Sequence, residues 1–415
     1  MVRRQEDTAD MWGFMYQAFI NSLKVDPMNF QLVTPFTSWD WATTSLGHLD
    51  SREYDFVSTV PQWSGVGAYA SGGARLSDAY ELFLLALVVS ADPVQKQKIE
   101  DQQNVCADKR AIFERAVRTA RDKYDGDPTV KDNTPDFGTW LTDEYGIGYT
   151  YGTAIAGARD ILDNEMDLLE QFIKQSNDPT IKLASDKFNN QKFWSSIDTA
   201  SLEDAFTTPG YSKTESYTKW VQKVQAGGGN PATLSWANSQ SHYDWKKSWA
   251  GGKGSYGTPF WGIEVGGSWE KEDSLATSKD ISVEIGFKAW DMLQIQDAGW
   301  FDQPFVDAKC DGEYRAGYSK ADFFGEGGSM ALRKTGMLVV YKPSFTIKSK
   351  TAFTKIQKEK FEASGGLRIG PFKIGGGGGS SSIIEDKAVT DNEFSGTTDS
   401  ELPFLAGITV QKLGK

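Results

Sequence analysis

The stretch ISVEIGFKA, residues Ile281–Ala289, carries the pattern that decides the fold of this chain. Apolar residues occupy every second position, and polar or small residues lie between them. Because successive side chains of a strand point to opposite faces, this alternation predicts a β-strand with one buried face. Related patterns predict four further strands, at Trp261–Trp269, Met337–Tyr341, Phe345–Phe353 and Leu402–Val410. With glycine-rich turns between them, these segments predict an antiparallel β-sandwich or open barrel.

The first 225 residues instead show a helical period, with apolar residues at spacings of three and four. Helices are predicted at residues 8–24, 78–89, 93–124, 155–173 and 214–226, the last ending at Gly227. Residues 26–73 are predicted to be irregular or to form short strands. We therefore predict an α+β protein: a mainly α-helical region at 1–225, a Gly/Trp-rich linker at 226–258 and an antiparallel β domain at 259–415.

Five basic residues of the predicted helix 93–124 lie off its apolar stripe: Lys109, Arg110, Arg115, Arg118 and Arg121. Such charges usually form a solvated helix face, so we expect these side chains to be exposed. A partner-binding face is the alternative.

Composition bounds the classes of function. The chain has 415 residues and a net charge of −12, which argues against general nucleic-acid binding. The two cysteines, Cys106 and Cys310, fit a reducing compartment, and the N-terminus lacks an apolar signal segment. The apolar run Leu82–Val89 is too short to cross a bilayer as a helix. These features predict a soluble, cytoplasmic protein, with leaderless export left open.

Two segments of opposite charge lie close together near the C-terminus. Residues Lys342–Ile374 contain eight Lys/Arg and two Glu, and residues Ile383–Glu401 contain six Asp/Glu and one Lys. We call the seven basic residues that follow Lys342 the basic ribbon: Lys348, Lys350, Lys355, Lys358, Lys360, Arg368 and Lys373. The acidic ribbon is Glu385, Asp386, Asp391, Glu393, Asp399 and Glu401. Both ribbons are predicted interaction residues.

Three arrangements of the ribbons are open. They pair as neighbouring strands within one chain, or the basic ribbon of one copy meets the acidic ribbon of another, which would build a homo-oligomer. In the third, residues 345–374 form a β-hairpin that enters an anionic membrane, as in pore-forming proteins. The would-be lipid face loses its apolar pattern after Phe353, which makes this alternative weaker.

No catalytic motif is found. His48 and His242 are the two histidines, and neither has a set of partners that forms a triad or a metal site. The segment Ala250–Ser255 (AGGKGS) fails the phosphate-loop pattern, because glycine follows Lys253. We predict no cofactor and favour a non-enzymatic protein. An enzyme stays open in one form, a pocket that brings together two carboxylates with raised pKa values.

Seven tryptophans fall within 65 residues, from Trp236 to Trp300. Trp261 and Trp269 have the same strand parity as the apolar residues Ile263 and Val265, which predicts that both are core residues. Trp290 breaks the alternation of its strand and is the better surface candidate. Trp245, Trp249 and Trp290 are therefore a candidate aromatic platform, which gives a carbohydrate-binding module as an alternative function of segment 236–300.

Residues Trp300-Phe301 and Gly370-Pro371-Phe372, with the Gly/Ser-rich segment after them, carry a family resemblance. Over about residues 281–380 the chain resembles a family of uncharacterised bacterial and fungal proteins with a Trp-Phe corner and a Gly-Pro-Phe strand. The resemblance implies no activity. From the residues themselves we predict a non-enzymatic protein that acts by self-association, or by structural or partner binding.

Overall fold

The computed structural model describes residues 3–37, 51–88, 93–126, 140–141, 144–174, 179–196, 207–237, 260–265, 268–271, 280–362, 367–374, 386–398 and 400–415. Ten helices and an eight-stranded antiparallel sheet lie within these residues, so the chain is a mixed α+β protein, as predicted. Helices dominate the first half of the described chain, and strands dominate the second half.

Two long strands form the centre of the eight-stranded sheet. Strand β10 (Ile281–Asp297) pairs antiparallel with β11 (Leu332–Ser349), in a register that runs from Ile281 opposite Ser349 to Gln294 opposite Gly336. Every second residue from Ile281 to Ala289 is buried, as the alternation predicts. The two segments predicted as separate strands, Met337–Tyr341 and Phe345–Phe353, belong to one strand that ends at Ser349.

Further strands extend the sheet on both sides. Beyond β11 lie β16 (Phe404–Lys412) and then β1 (Phe30–Thr37), and further along β11 lie β15 (Glu393–Thr397) and then β14 (Asp386–Val389). Beyond β10 lie β7 (Asn230–Ala237) and β6 (Tyr211–Lys213).

The predicted linker needs a correction, because it contains β7, a strand of the large sheet. Strand β1 likewise joins this sheet from the predicted helical region. Sheet pairing brings such distant segments together because each strand has to satisfy its backbone hydrogen bonds. The domain boundaries themselves stay a prediction.

A four-stranded sheet packs against the large one. Its strands, in spatial order, are β13 (Phe372–Ile374), β12 (Leu367–Ile369), β8 (Trp261–Val265) and β9 (Ser268–Lys271). Phe372 contacts Phe345 of the large sheet, with ring centroids 5.4 Å apart. Two small strand pairs complete the described strands: β2 (Thr59–Pro61) with β3 (Ser71–Arg75), and β4 (Trp194–Ser196) with β5 (Thr207–Pro209).

The described helices agree with most of the predicted ones. They are α1 (Arg3–Leu23), α2 (Ser51–Ser58), α3 (Leu76–Ala86), α4 (Pro93–Gly126), α5 (Gly148–Lys174), α6 (Pro179–Phe188), α7 (Tyr217–Gln225), α8 (Gln303–Lys309), α9 (Lys320–Phe324) and α10 (Lys355–Glu362). Gly227 follows α7 with a φ of 89°, as expected for a glycine after a helix end. Helix α2 is a correction to the irregular segment predicted at 26–73.

Helices α4 and α5 pack antiparallel as a long helical hairpin. Their 34 and 27 residues correspond to lengths of about 50 Å and about 40 Å. Near the connection, Trp140 and Leu141 form a small core with Ala120 and Ile155. The hairpin therefore has its own apolar packing, besides its contacts with the rest of the chain.

Candidate functional site

The two ribbons meet within one chain. Strand β15 pairs with β11 so that Lys348 lies opposite Glu393, and Lys348 Nζ is 3.8 Å from the Glu393 carboxylate. Lys358 on α10 forms an ion pair with Asp391. Among the described residues, the intrachain arrangement is thus the one observed. Exposed ion pairs of this kind contribute little to stability, so they align the segments more than they stabilise them.

The other ribbon residues do not form one surface. Lys350 and Lys355 are exposed, and Lys355 lies 3.7 Å from Glu359 on the same helix. Arg368 is a correction to the basic ribbon, because it is buried and donates from Nε to the carbonyl of Gly370 at 3.1 Å. Burial lowers the pKa of Arg368 to about 10. Five members lie outside the described part in whole or in side chain: Lys360, Lys373, Glu385, Asp386 and Asp399.

Residues 345–374 do not form the single β-hairpin considered above. Strand β11 ends at Ser349, helix α10 follows at Lys355–Glu362, and β12 and β13 then pair with each other and with β8. Thr354 and Gln357 explain the helix. The backbone N–H of Thr354 donates to Gln357 Oε1 at 2.9 Å, and the backbone N–H of Gln357 donates to Thr354 Oγ1 at 3.2 Å. This reciprocal capping starts a helix where the strand pattern breaks.

Among the described residues of the acidic ribbon, Glu401 has the carboxyl whose pKa is shifted most strongly. A hydrogen bond from Lys342 at 2.6 Å contributes most, followed by those from Tyr341 and, at 2.9 Å, from Gln225. Together they lower the pKa of Glu401 to about 2. The cluster ties the chain before β16 to β11 and α7 in one place.

We expect the stabilising contribution of Glu401 to be complete above its unfolded pKa of about 4.3 and to disappear as the pH falls through about 2. A carbon-13 NMR titration of this carboxyl should show a midpoint near 2, and Lys342→Met should raise it towards the unfolded value. Lys355→Met, which removes an exposed lysine elsewhere, should leave the midpoint in place. A wild-type midpoint near 4.3 would show that the cluster does not form.

Of the three residues of the candidate aromatic platform, Trp290 lies within the described part of the chain. Trp290 is half-buried and packs against the main core, whereas Trp245 and Trp249 lie outside the described residues. Trp236, Trp261 and Trp300 are buried, which confirms the core prediction for Trp261. The side chain of Trp269 lies outside the described part. The described tryptophans of this segment therefore lie in the core or pack against it.

Both histidines, His48 and His242, lie outside the described residues. Within the described ranges, no three or more His, Cys, Asp or Glu side chains are grouped so as to hold a metal ion. No described helix is both long enough and apolar enough to cross a membrane. One described cleft, lined by Pro61 and Trp63 among others, contains two carboxylates, Asp322 and Glu326, and both are exposed.

Helix α2 anchors the surrounding elements through polar groups. Glu53 forms a buried ion pair with Lys213 of β6, and Asp55 pairs with both Arg75 and Arg121 of α4. Lys334 of β11 is buried, and its Nζ donates to the carbonyls of Phe56 and Thr59 at the end of α2. Burial lowers the pKa of Lys334 well below its usual value, although those carbonyls at a helix C-terminus favour a cation.

Helix α4 is held to the rest of the chain by arginines. Arg110 is buried and forms ion pairs with Glu81 and, at 3.9 Å, with Asp78 of α3. Arg110 and Arg121 therefore correct the prediction of a solvated basic face, whereas Arg115 and Arg118 are exposed as expected. One face of α4 is fixed by charge pairs, and another faces solvent.

An exposed row of uncharged residues runs along α5 and is the most distinctive surface of the described chain. We call it the α5 stripe: Ile147, Thr150, Ala154, Gly157, Ile161, Asn164, Leu168 and Gln171. The spacing alternates between three and four residues, which is the a/d spacing of a coiled-coil seam. Ile147 is 64% exposed, Ile161 52% and Leu168 37%. The core side of α5 uses other residues, including Ile155, Leu162 and Leu169.

Charges flank this stripe on one side. Asp160, Asp163 and Asp167 are exposed and follow its acidic edge. On the neighbouring helix, an exposed patch combines small or apolar residues with two arginines, and we call it the α4 basic face: Ala111, Ile112, Arg115, Arg118 and Thr119. The guanidinium of Arg159 lies 5.6 Å from the ring of Phe113, so the α4 basic face and the acidic edge lie at similar levels along the hairpin.

The residues of the α5 stripe repeat at spacings of three and four in the sequence, but the core residues of the same helix have the same spacing. Ile161 shares the apolar spacing of the core residues in this helix, but its side chain is exposed. Two apolar stripes on one helix overlap in the sequence, and a single period does not separate them.

Comparison with protein-family models, with curated proteins and with solved structures finds no match to this chain.

Proposed function

We propose that this protein is a non-enzymatic, self-associating protein and that the α5 stripe is the surface on which a second copy docks. The observation that carries the proposal is the stripe itself: eight exposed, uncharged positions at coiled-coil spacing, with Ile147 just before α5 and the other seven along about 32 Å of the helix. A helix face exposed to water usually carries charged residues, whereas interface cores are depleted in charge.

The second copy is favoured because the hairpin carries a complementary surface. Two α5 stripes facing each other in an antiparallel pair would place the acidic edges side by side, which is repulsive. The α4 basic face of another copy instead brings Arg115 and Arg118 towards Asp160 and Asp167. In a two-fold pair, each α5 would then lie against α4 of the other copy, as in a four-helix bundle.

The area of the hairpin is sufficient for this arrangement. A helix face about 40 Å long and about 10 Å wide presents about 400 Å². Stable interfaces bury about 800 Å² on each partner. A two-fold pair reaches that order of area only if each copy contributes an α5 stripe and a face of α4 of similar length, which includes the α4 basic face and the residues around it.

The expected result is a dimer in sedimentation velocity and light scattering, weakening as salt screens the arginine–aspartate pairs. The double variant Ile161→Glu with Leu168→Glu should give a single-chain mass, because it places charges in the seam. The control, Leu183→Glu with Ile356→Glu, changes two aliphatic residues outside the stripe that are more exposed than Ile161 and Leu168, and it should stay dimeric. Far-UV circular dichroism should be the same for all three proteins.

Charge reversal tests which surfaces meet. Arg115→Glu with Arg118→Glu should be a monomer, as should Asp160→Arg with Asp167→Arg, and an equimolar mixture of the two should recover the dimer. A wild-type protein of single-chain mass at every concentration and salt would refute the proposal. A dimer that persists in the Ile161→Glu, Leu168→Glu variant would place the interface elsewhere.

A further inference from the structure

A cleft of about 390 Å³ lies between the β2–β3 hairpin and the turn that follows α9. Its volume is within the range of small-molecule sites, about 300–1,000 Å³. One wall carries Pro61, Gln62 and Trp63, and the other carries Asp322, Glu326 and Ser329. The cleft is remote in sequence from the ribbons, the aromatic platform and the α5 stripe.

The backbone of both walls is fixed by hydrogen bonds. The N–H of Gln62 donates to the carbonyl of Ala70 at 2.8 Å, and Gln31 Nε2 donates to the carbonyl of Gln62 at 2.9 Å. On the opposite side, the N–H of Ser329 donates to the carbonyl of Asp322 at 3.0 Å. Binding to a wall that is already ordered does not carry the entropic cost of ordering it.

Glycine is required where these walls are tightest. A Cβ atom at Gly72 would lie 2.7 Å from the carbonyl oxygen of Val60, and one at Gly328 would lie 2.4 Å from that of Phe323. Both glycines line the cleft, so their missing side chains let each wall fold tightly and keep the space between them open.

We propose that this cleft binds a neutral, hydroxyl-rich ring, a sugar unit. Trp63 is half-buried and supplies an apolar indole for the ring face. Gln62 offers an amide that both donates and accepts, Ser329 offers a hydroxyl, and the Glu326 carboxylate accepts from sugar hydroxyls. Glu326 has no side-chain hydrogen bond or ion pair with any described residue, whereas Asp322 accepts two hydrogen bonds from Ser319 at 2.7 Å.

A cationic ligand fits the cleft less well. Lys412 Nζ already lies 5.1 Å from the centroid of the Trp63 ring, in the range of a cation–π contact. A second cation on this indole would be repelled by the positive charge of Lys412.

The test uses the full chain labelled with nitrogen-15 at tryptophan, titrated with glucose, N-acetylglucosamine, maltose and cellobiose. At least one sugar should shift the Trp63 indole signal in a saturable way, with a millimolar dissociation constant. Trp63→Ala should abolish binding measured by calorimetry, and Glu326→Gln should weaken it about tenfold, the equivalent of one charged hydrogen bond. Trp194→Ala, which removes a half-buried indole on β4 that does not line the cleft, should bind as the wild type does.

Three outcomes would overturn the proposal. They are no saturable shift with any of the four sugars, binding that persists in Trp63→Ala, and a response to choline in place of the sugars. If Trp63→Ala does not fold, Glu326→Gln with its smaller change decides the matter. The dimer variants described above leave this cleft unaltered, so each proposal fails or holds independently of the other.

Discussion

Arg110→Ala is expected to lower the free energy of unfolding by about 3–5 kcal/mol, the range for removing one partner of a buried ion pair. Arg110 lies buried between Glu81 and Asp78, and Glu81 is itself nearly inaccessible. Without the guanidinium, the Glu81 carboxylate is a buried anion that has lost its cation. Urea unfolding followed by circular dichroism measures the change.

Two controls separate this effect from a general weakening of α4. Lys98→Ala removes an exposed lysine from the same helix and should change the free energy of unfolding by less than about 0.5 kcal/mol. The double variant Arg110→Met with Glu81→Leu should recover most of the loss, because apolar replacements of buried pairs are often neutral or stabilising. A loss below about 1 kcal/mol for Arg110→Ala would mean that the pair is solvated.

Trp300→Ala is expected to cost about 3–5 kcal/mol, as for other large-to-small changes at buried aromatic residues. Trp300 is fully buried among aromatic rings, with centroid distances of 5.6 Å to Tyr211 and 5.7 Å to Phe301. Its Nε1–H donates to the carbonyl of Gly210 at 2.9 Å. The variant therefore creates a cavity and removes one hydrogen bond of a buried carbonyl.

Trp300→Phe separates the two contributions. It keeps an aromatic ring and removes the donor, so it should cost about 0.5–1.5 kcal/mol, the net value of one hydrogen bond, because the Gly210 carbonyl still accepts from the Ala298 N–H at 2.9 Å. Trp290→Ala removes a half-buried indole and should cost less than Trp300→Ala. Guanidinium unfolding curves for the three variants decide the order, and a Trp290→Ala loss equal to that of Trp300→Ala would contradict the burial difference.

The Trp300-Phe301 pair shows what a resemblance alone leaves out. Its sequence suggested a corner after a strand, and the structure gives the reason for these residue types. The indole joins the chain before β6 to the helical core, and Phe301 packs 4.9 Å from Tyr80 of α3. The pair is therefore a core element in the described chain.

The basic ribbon illustrates a limit of pattern reading. Alternation continues from β11 into Phe353, but Thr354 and Gln357 start a helix through their reciprocal caps. This four-residue capping signal is present in the sequence, but it lies within a lysine-rich segment whose charge pattern does not indicate a helix. Arg368 shows the converse, because nothing local marks it as the buried member of the set.

By itself, the sequence determined the α+β class, the long strands and most helices, because each of these leaves a period in the order of apolar residues. Only the tertiary structure decided that β1 pairs with β16, that Arg110 meets Glu81 and that Ile161 faces solvent. These facts depend on contacts between residues far apart in the chain, and local propensity carries no information about which distant partner satisfies a given group. The α5 stripe depends on both the sequence and the tertiary structure. The sequence gives the spacing of its residues, and the packing of α4 against α5 leaves them exposed.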